Sequence, residues 1–349
     1  MSDQRLNKSD KGDDARLLQA AARERLSVAV ADLALPEGLR LSDWQRTTVS
    51  ALLAKLVRTI EDELRASLAE TLLAKDHEAL HATLTSAHVA IAAPILERSA
   101  RHADPQLIAA LIRRAEEHRR VRTRATAESS LLLELLRDED EAVAEQAMAI
   151  VIAQSRRFDG FSEPVAARTE LAAELEHRLV WRVAAALRHY MVDRHAVAPA
   201  QADEAVVAAA EHLLAAYDEG DSLEARSLRL ARRLHETGRL SDELIEQALG
   251  EGSFPLFLAA LAVRAGLSYA SAWEILSDPR GRGAVLLIKA AGIPRTHSVA
   301  ILLGLSESEA KVEMQVDLFD TTEEPAARQA LRLWQVNPGY REALAEVAG

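Results

Sequence analysis

LLAKLVRTIEDELRASLAETLL, Leu52 to Leu73, is the stretch that decides the fold. Leu52, Leu53, Leu56, Val57 and Ile60 recur at helical spacing, and Val49 extends the same face upstream. The acids Glu61, Asp62 and Glu63 interrupt the stripe. Beyond them Leu64, Leu68, Leu72 and Leu73 form a second apolar face, with Arg65 and Glu70 on the other side. The pattern predicts two short antiparallel helices: a leucine-rich helix, an acidic turn, then an aliphatic-Arg opener, as in a HEAT-like hairpin. Ser42 and Gln45 supply a capping box ahead of the first helix.

LLLELLRDEDEAVAEQAMAIV, Leu131 to Val151, repeats the design. Asp138 to Asp140 form the acidic turn, Val143, Ala147 and Ile150 follow it, and Ala144 stands where the first copy has arginine. Weaker copies lie between them, ALHATLTSAHVAIAAPILER at 79–98 and DPQLIAALIRRAEEHRRVRTRAT at 104–126. The latter opens with Asp104 as N-cap and Pro105 in the first helical position. RRFDGFSEPV, residues 156–165, breaks the series, because Asp159-Gly160 and Pro164 end one helix and permit another. The expected organisation is a disordered tail at 1–14, a HEAT-like lobe at 15–158 and a second helical lobe at 164–349.

The second lobe opens with long amphipathic helices, one through LEHRLVWRVAAALRHYMV, one from Pro199 to Tyr217 and one after Asp221. Glycines at 238, 250, 252, 266, 281, 292 and 304 then punctuate shorter ones. Ser268 marks one start, a capping box from Ser306 to Glu309 another, and Thr321 to Pro325 sets off a last pair. No run alternates long enough to make a strand. Hydrophobic residues are 49% of the chain but aromatics only 4%, so the core is built from small aliphatics, which suits close helix packing. The fold class is all-α.

With 54 acidic against 42 basic residues, the net charge of -12 disfavours a general polyanion binder. Cysteine is absent, which excludes disulfides, thiolate metal sites and cysteine nucleophiles. The N-terminus MSDQRLNKSDKGDD shows no secretory signal, and the apolar runs at 88–96 and 284–288 fall short of a membrane span. Cytoplasm is the expected address.

Four stretches resemble the bacterial domain of unknown function 2336 family. They are RERLSVAVADLALPEGLRLSDWQRTTVSALLAKLVRTIEDELRASLAE at 23–70, APILERSARHADPQLIAALI at 93–112, LAAELEHRLVWRVAAALRHYMV at 171–192 and AWEILSDPRGRGAVLLIKAAGIPR at 272–295. The resemblance implies a helical scaffold with HEAT-like repeats. It implies no activity, catalytic residue, cofactor or metal site.

Four motifs carry possible chemistry. His77-Glu78-Ala79-Leu80-His81 is an H-E-x-x-H string: on a helix its imidazoles could hold zinc with Glu78 as base, and Glu97, Glu116 or Glu117 as third ligand. Two surface histidines are the expectation, with no metal. Ala265 to Leu276 has the outline of a helix-turn-helix, yet it offers Tyr269, Ser271 and Glu274 where base readers need Arg, Lys, Asn or Gln. Arg113, Arg114, Arg119, Arg120, Arg122 and Arg124 form a basic run suited to an acidic or phosphorylated partner. Pro279 to Gly283 could turn backbone N–H groups toward an anion, but it lacks the strand and spacing of a phosphate loop. His177, His189, His195 and His212 have no acid-base partner in sequence, and Trp181, Trp273 and Trp334 are expected as core or groove anchors. The expected function is a non-enzymatic protein-binding scaffold without cofactor, ahead of a zinc hydrolase using residues 77–81 and a helix-turn-helix DNA-binding regulator.

Overall fold

The computed structural model describes residues 40–71, 77–98, 104–122, 130–157, 163–278, 280–306 and 308–348, and Trp44–Gly349 make one compact unit. The expected tail at 1–14 lies outside the described residues. The chain is all-α, with seventeen α-helices and no strand among the described residues. The first half holds α1 (Asp43–Thr71), α2 (Glu78–Leu84), α3 (Ala92–Arg98), α4 (Pro105–Arg122), α5 (Ser130–Leu135), α6 (Glu141–Ser155), α7 (Ala173–His195) and α8 (Pro199–Ala215). Then come α9 (Leu223–Glu236), α10 (Asp242–Gly250), α11 (Phe254–Ala265), α12 (Tyr269–Leu276) and α13 (Arg282–Ala290). The last four are α14 (Arg295–Leu305), α15 (Glu309–Thr321), α16 (Glu324–Ala330) and α17 (Pro338–Ala348).

The first expected hairpin is one continuous helix of 29 residues. Ile60, Leu64 and Leu68 keep the four-residue period straight through the acidic triplet, and all three are buried. Glu61 is not a turn residue. Its side chain is fully buried and accepts the N–H groups of Ile91 and Ala92, both at 2.9 Å, at the start of α3. One turn on, Arg65 donates to Thr83 O (2.6 Å) and Leu84 O (2.9 Å) at the end of α2, to Val89 O (2.7 Å), and to Ser86 O. A carboxylate thus meets the N-terminus of one helix and a guanidinium the C-terminus of the other, each opposite in sign to the helix dipole. A charged pair of this kind has the composition of an exposed turn, which is why the two are easily confused.

The second copy does form a hairpin, α5 and α6. Asp140 caps α6 by accepting Ala142 N–H at 3.1 Å, and the acidic turn is held from α9 and its end, by Arg233 on Asp140 (2.8 Å) and Arg239 on Asp138. The hydrogen bond from Arg239 holds the Asp138 carboxyl down at about 2.

Two hydrophobic cores organise the helices. One joins α1 to α4 with α7 and α8 around Leu56, Ile60, Leu111, Val183 and Leu187. The other joins α5 and α6 with α9 to α16 around Ile150, Leu230, Phe257, Ile288 and Ile301, with α11 buried along most of its length. Each core draws on both sides of the break at 156–165. That break separates helices, but it does not separate the cores.

Serine caps start several helices, Ser268 where the sequence places it. Ser222, Ser241 and Ser268 accept the N–H of Ala225, Leu244 and Ser271 at 3.0–3.2 Å. For α15 the cap is Ser308, not Ser306, whose hydroxyl instead donates to Gln315 at 2.6 Å. Helix α7 ends on Ala196, a non-glycine residue in the left-handed region at φ 51°. Ala196→Gly removes that strain and is expected to raise stability by roughly 0.5–1 kcal/mol, read from the urea midpoint. An unchanged or lower midpoint would show that the backbone there is not strained.

Candidate docking groove

A cleft of about 600 Å³ opens on the first core between α1, α3, α4 and α7. Leu53, Val57, Leu96, Leu107, Ile108 and Leu179 line it. Its origin is visible in the sequence as apolar doublets. Leu52 and Leu107 are buried, while Leu53 and Ile108, one position on, are only partly covered and broaden the apolar face beyond what the core can fill. Three charged side chains stand at its rim. Asp104 caps α4 and takes a 2.8 Å bond from Arg178, which, against the effect of burial, holds its carboxyl below the usual range. Glu97 is exposed on α3. Arg182 on α7 is half-buried and makes no ion pair or side-chain hydrogen bond with any described residue.

The expected basic stripe does not form one surface, because its members turn to different sides of α4. Arg113 pairs with Glu224 and lies 5.7 Å from the Tyr269 ring centroid. Arg114 is buried and donates to Arg157 O at 2.9 Å. Arg119 pairs with Glu116 at 2.8 Å, and Arg120 lies over the Phe254 ring. The Arg122 side chain and Arg124 are outside the described residues. What sequence reasoning missed is the buried cluster that absorbs two of these arginines. Arg157 bridges Glu117 (2.7 Å) and Glu170, the Tyr269 hydroxyl donates to Glu117 at 3.2 Å, and Glu170 accepts Leu223 N–H at 3.1 Å. The three guanidinium groups of Arg113, Arg114 and Arg157 balance the carboxylates of Glu117, Glu170 and Glu224. Burial alone would raise Glu117, but Arg157, Arg113 and Arg114 hold it low, whereas burial and Arg157 push Arg114 down to about 9. The cavity inside the cluster is about 20 Å³, room for a single water, so it bolts α4 to α9 and α12 and admits no ligand.

The remaining motifs are spoken for. His77 has non-helical backbone angles (φ -139°, ψ 58°) ahead of α2, so it does not share a helical face with His81. Of the expected third ligands, Glu116 accepts from Gln45 at 2.7 Å, Glu117 sits in the buried cluster, and Glu97 is on the groove rim. Among the described residues no three His, Asp or Glu side chains are grouped to hold an ion. Helices α11 and α12 bend by 103° at Gly266, as a helix-turn-helix would, but Tyr269 and Ser271 are buried and exposed Glu274 is paired with Arg341. The N–H groups of Arg280 and Gly283 are taken by the chain's own Asp278, at 3.0 and 2.9 Å, and so do not turn toward an outside anion.

Trp273 meets Phe254 edge-on at 6.1 Å in the core, Trp334 lies beneath Arg341, and Trp181 donates to His177 at 3.1 Å on the surface. His297, not singled out in the sequence, ties α14 to α10 through Glu246 (2.6 Å) and Glu243 (3.5 Å). The hydrogen bond to Glu246 raises its pKa above 6.5, so its contribution to stability is complete below pH 6.5 and fades as pH rises through the raised value. In His297→Gln this component of the pH dependence of the urea midpoint should vanish. Equal slopes in both proteins would show that the clamp does not couple to folding.

The fold and groove define an all-α protein with two interlocked helical cores. The chain belongs to the bacterial family described as uncharacterised protein conserved in bacteria (DUF2336), whose model matches residues 123–332. Two of the four resembling stretches, 171–192 and 272–295, lie inside that span, and 23–70 and 93–112 precede it. No curated protein and no solved structure matches the chain.

Proposed function

We propose that this protein is a non-enzymatic adaptor whose groove between α1, α3, α4 and α7 receives an amphipathic helix of a partner protein. The observation that carries this is the apolar cleft of about 600 Å³, walled by four helices and lined by Leu53, Leu96, Ile108 and Leu179. A helix laid into such a groove buries residues spaced three and four apart, and its neighbours at the rim remain wet. The size lies in the range of formed ligand sites, and covering the apolar floor removes it from water at about 25 cal/mol per Å². The proposed setting is the cytoplasm. No single helix among the described residues is long and apolar enough to cross a membrane, and a chain without cysteine suits a reducing compartment.

The test is affinity capture from the source bacterium with the wild type, Leu53→Glu, Ile108→Glu and a control, Leu303→Glu, at an exposed position on α14, a helix that packs against the other core. Matched thermal melts confirm that each variant is folded. A partner retained by the wild type and the control but lost from both groove variants is the expected result. A partner retained by all four proteins places binding elsewhere.

A further inference from the structure

We infer that Arg182 makes the groove selective for a helix that carries a carboxylate beside its apolar stripe. This rests on the groove as a docking site. Arg182 rises from α7 between Leu179 and Ala186, in the wall of the cleft, and is half-buried with no anionic or hydrogen-bonding partner among the described residues. Most other arginines on these walls and their surroundings are engaged: Arg178 by Asp104, Arg188 by Asp203, Arg58 by Asp62 and two carbonyls. A guanidinium without a counter-ion is an incomplete interaction, and docking a helix over it displaces part of its water. A carboxylate on that helix completes it with the planar, two-toothed geometry that guanidinium favours.

The rim also holds Glu97 and Asp104. Asp104 is neutralised by Arg178, and Glu97 is exposed, so solvent and salt screen it more than Arg182. Arg182 therefore dominates what a docked helix meets.

The probe is a display library of amphipathic helices of about 15 residues, roughly 22 Å long, with a fixed leucine stripe and flanking positions varied among Glu, Gln and Lys. It is selected against the full-length wild type, Arg182→Glu and Leu53→Glu. The wild type should enrich Glu over Lys by about tenfold or more at one flanking position, Arg182→Glu should invert that preference, and Leu53→Glu should enrich nothing. Equal flanking composition on the wild type and Arg182→Glu overturns the role of Arg182 and leaves the groove standing. No enrichment on the wild type, or undiminished enrichment on Leu53→Glu, overturns the groove itself and the inference with it.

Discussion

Arg65→Ala is expected to cost about 3–5 kcal/mol of folding stability, the range for breaking a buried ion pair by removing one partner. Arg65 is only 2% exposed, and its guanidinium serves Glu61 and the carbonyls of Thr83, Leu84, Ser86 and Val89. Alanine leaves those carbonyls short of a donor and strands Glu61, fully buried, with only the Ile91 and Ala92 N–H groups. The damage should fall on the link between α2 and α3, so amides of residues 83–92 should lose hydrogen-exchange protection before the rest of the first core. Arg58→Ala makes the contrast. Arg58 also reaches Ala87 O and Val89 O, but from a position open enough to be partly solvated, and its loss should cost about 1 kcal/mol or less. Urea denaturation of both variants separates the cases, and equal small shifts would contradict the capping role given to Arg65.

Gly283→Ala is expected to destabilise by about 3 kcal/mol, the upper end of overpacking. A Cβ there would lie 1.8 Å from the Ile275 carbonyl oxygen and 3.1 Å from Asp278 Cβ. Backbone cannot yield as a flexible side chain does. To make room, α12 and α13 must separate, which loosens Ile275, Leu276, Val285 and Ile288 in the second core and draws Gly283 N from Asp278. Gly250→Ala at the end of α10 meets nothing within 4 Å, and should be neutral or stabilising by a few tenths of a kcal/mol. Opposite signs for two Gly→Ala changes in one protein would show that the effect comes from the close approach of α12 and α13, not from glycine as such.

How much of this was legible in the sequence follows from where each partner sits. Helix starts marked by Ser268 or by Asp104-Pro105 are local, and the structure shows them where the residues place them. The α5–α6 hairpin is local too. The continuity of α1 was also written in the chain, in the unbroken spacing of Ile60, Leu64 and Leu68, but the charged triplet drew attention away from it. The fate of the arginines was not readable. Arg113 is neutralised by Glu224, 111 residues away, and Arg114 donates to backbone carbonyls 43 and 51 residues away, so neighbouring residues cannot tell a buried guanidinium from a solvated one. The interlocking of the cores is hidden for the same reason, because the helices on either side of 156–165 choose partners far along the chain. The groove left a faint trace in doublets such as Leu52-Leu53 and Leu107-Ile108, but whether the second member meets a neighbour or a cleft depends on α3 and α7.

The central claim, that the groove is where this protein meets its partner, is tested most directly by a photo-crosslinking amino acid placed at Ser50, an exposed position on the groove wall, in the source bacterium. The expected result is an adduct with one amphipathic helical segment of a partner protein, absent when Leu53→Glu is present on the same chain. Adducts from the same crosslinker at Leu303, on the other core, with none from position 50, would contradict it.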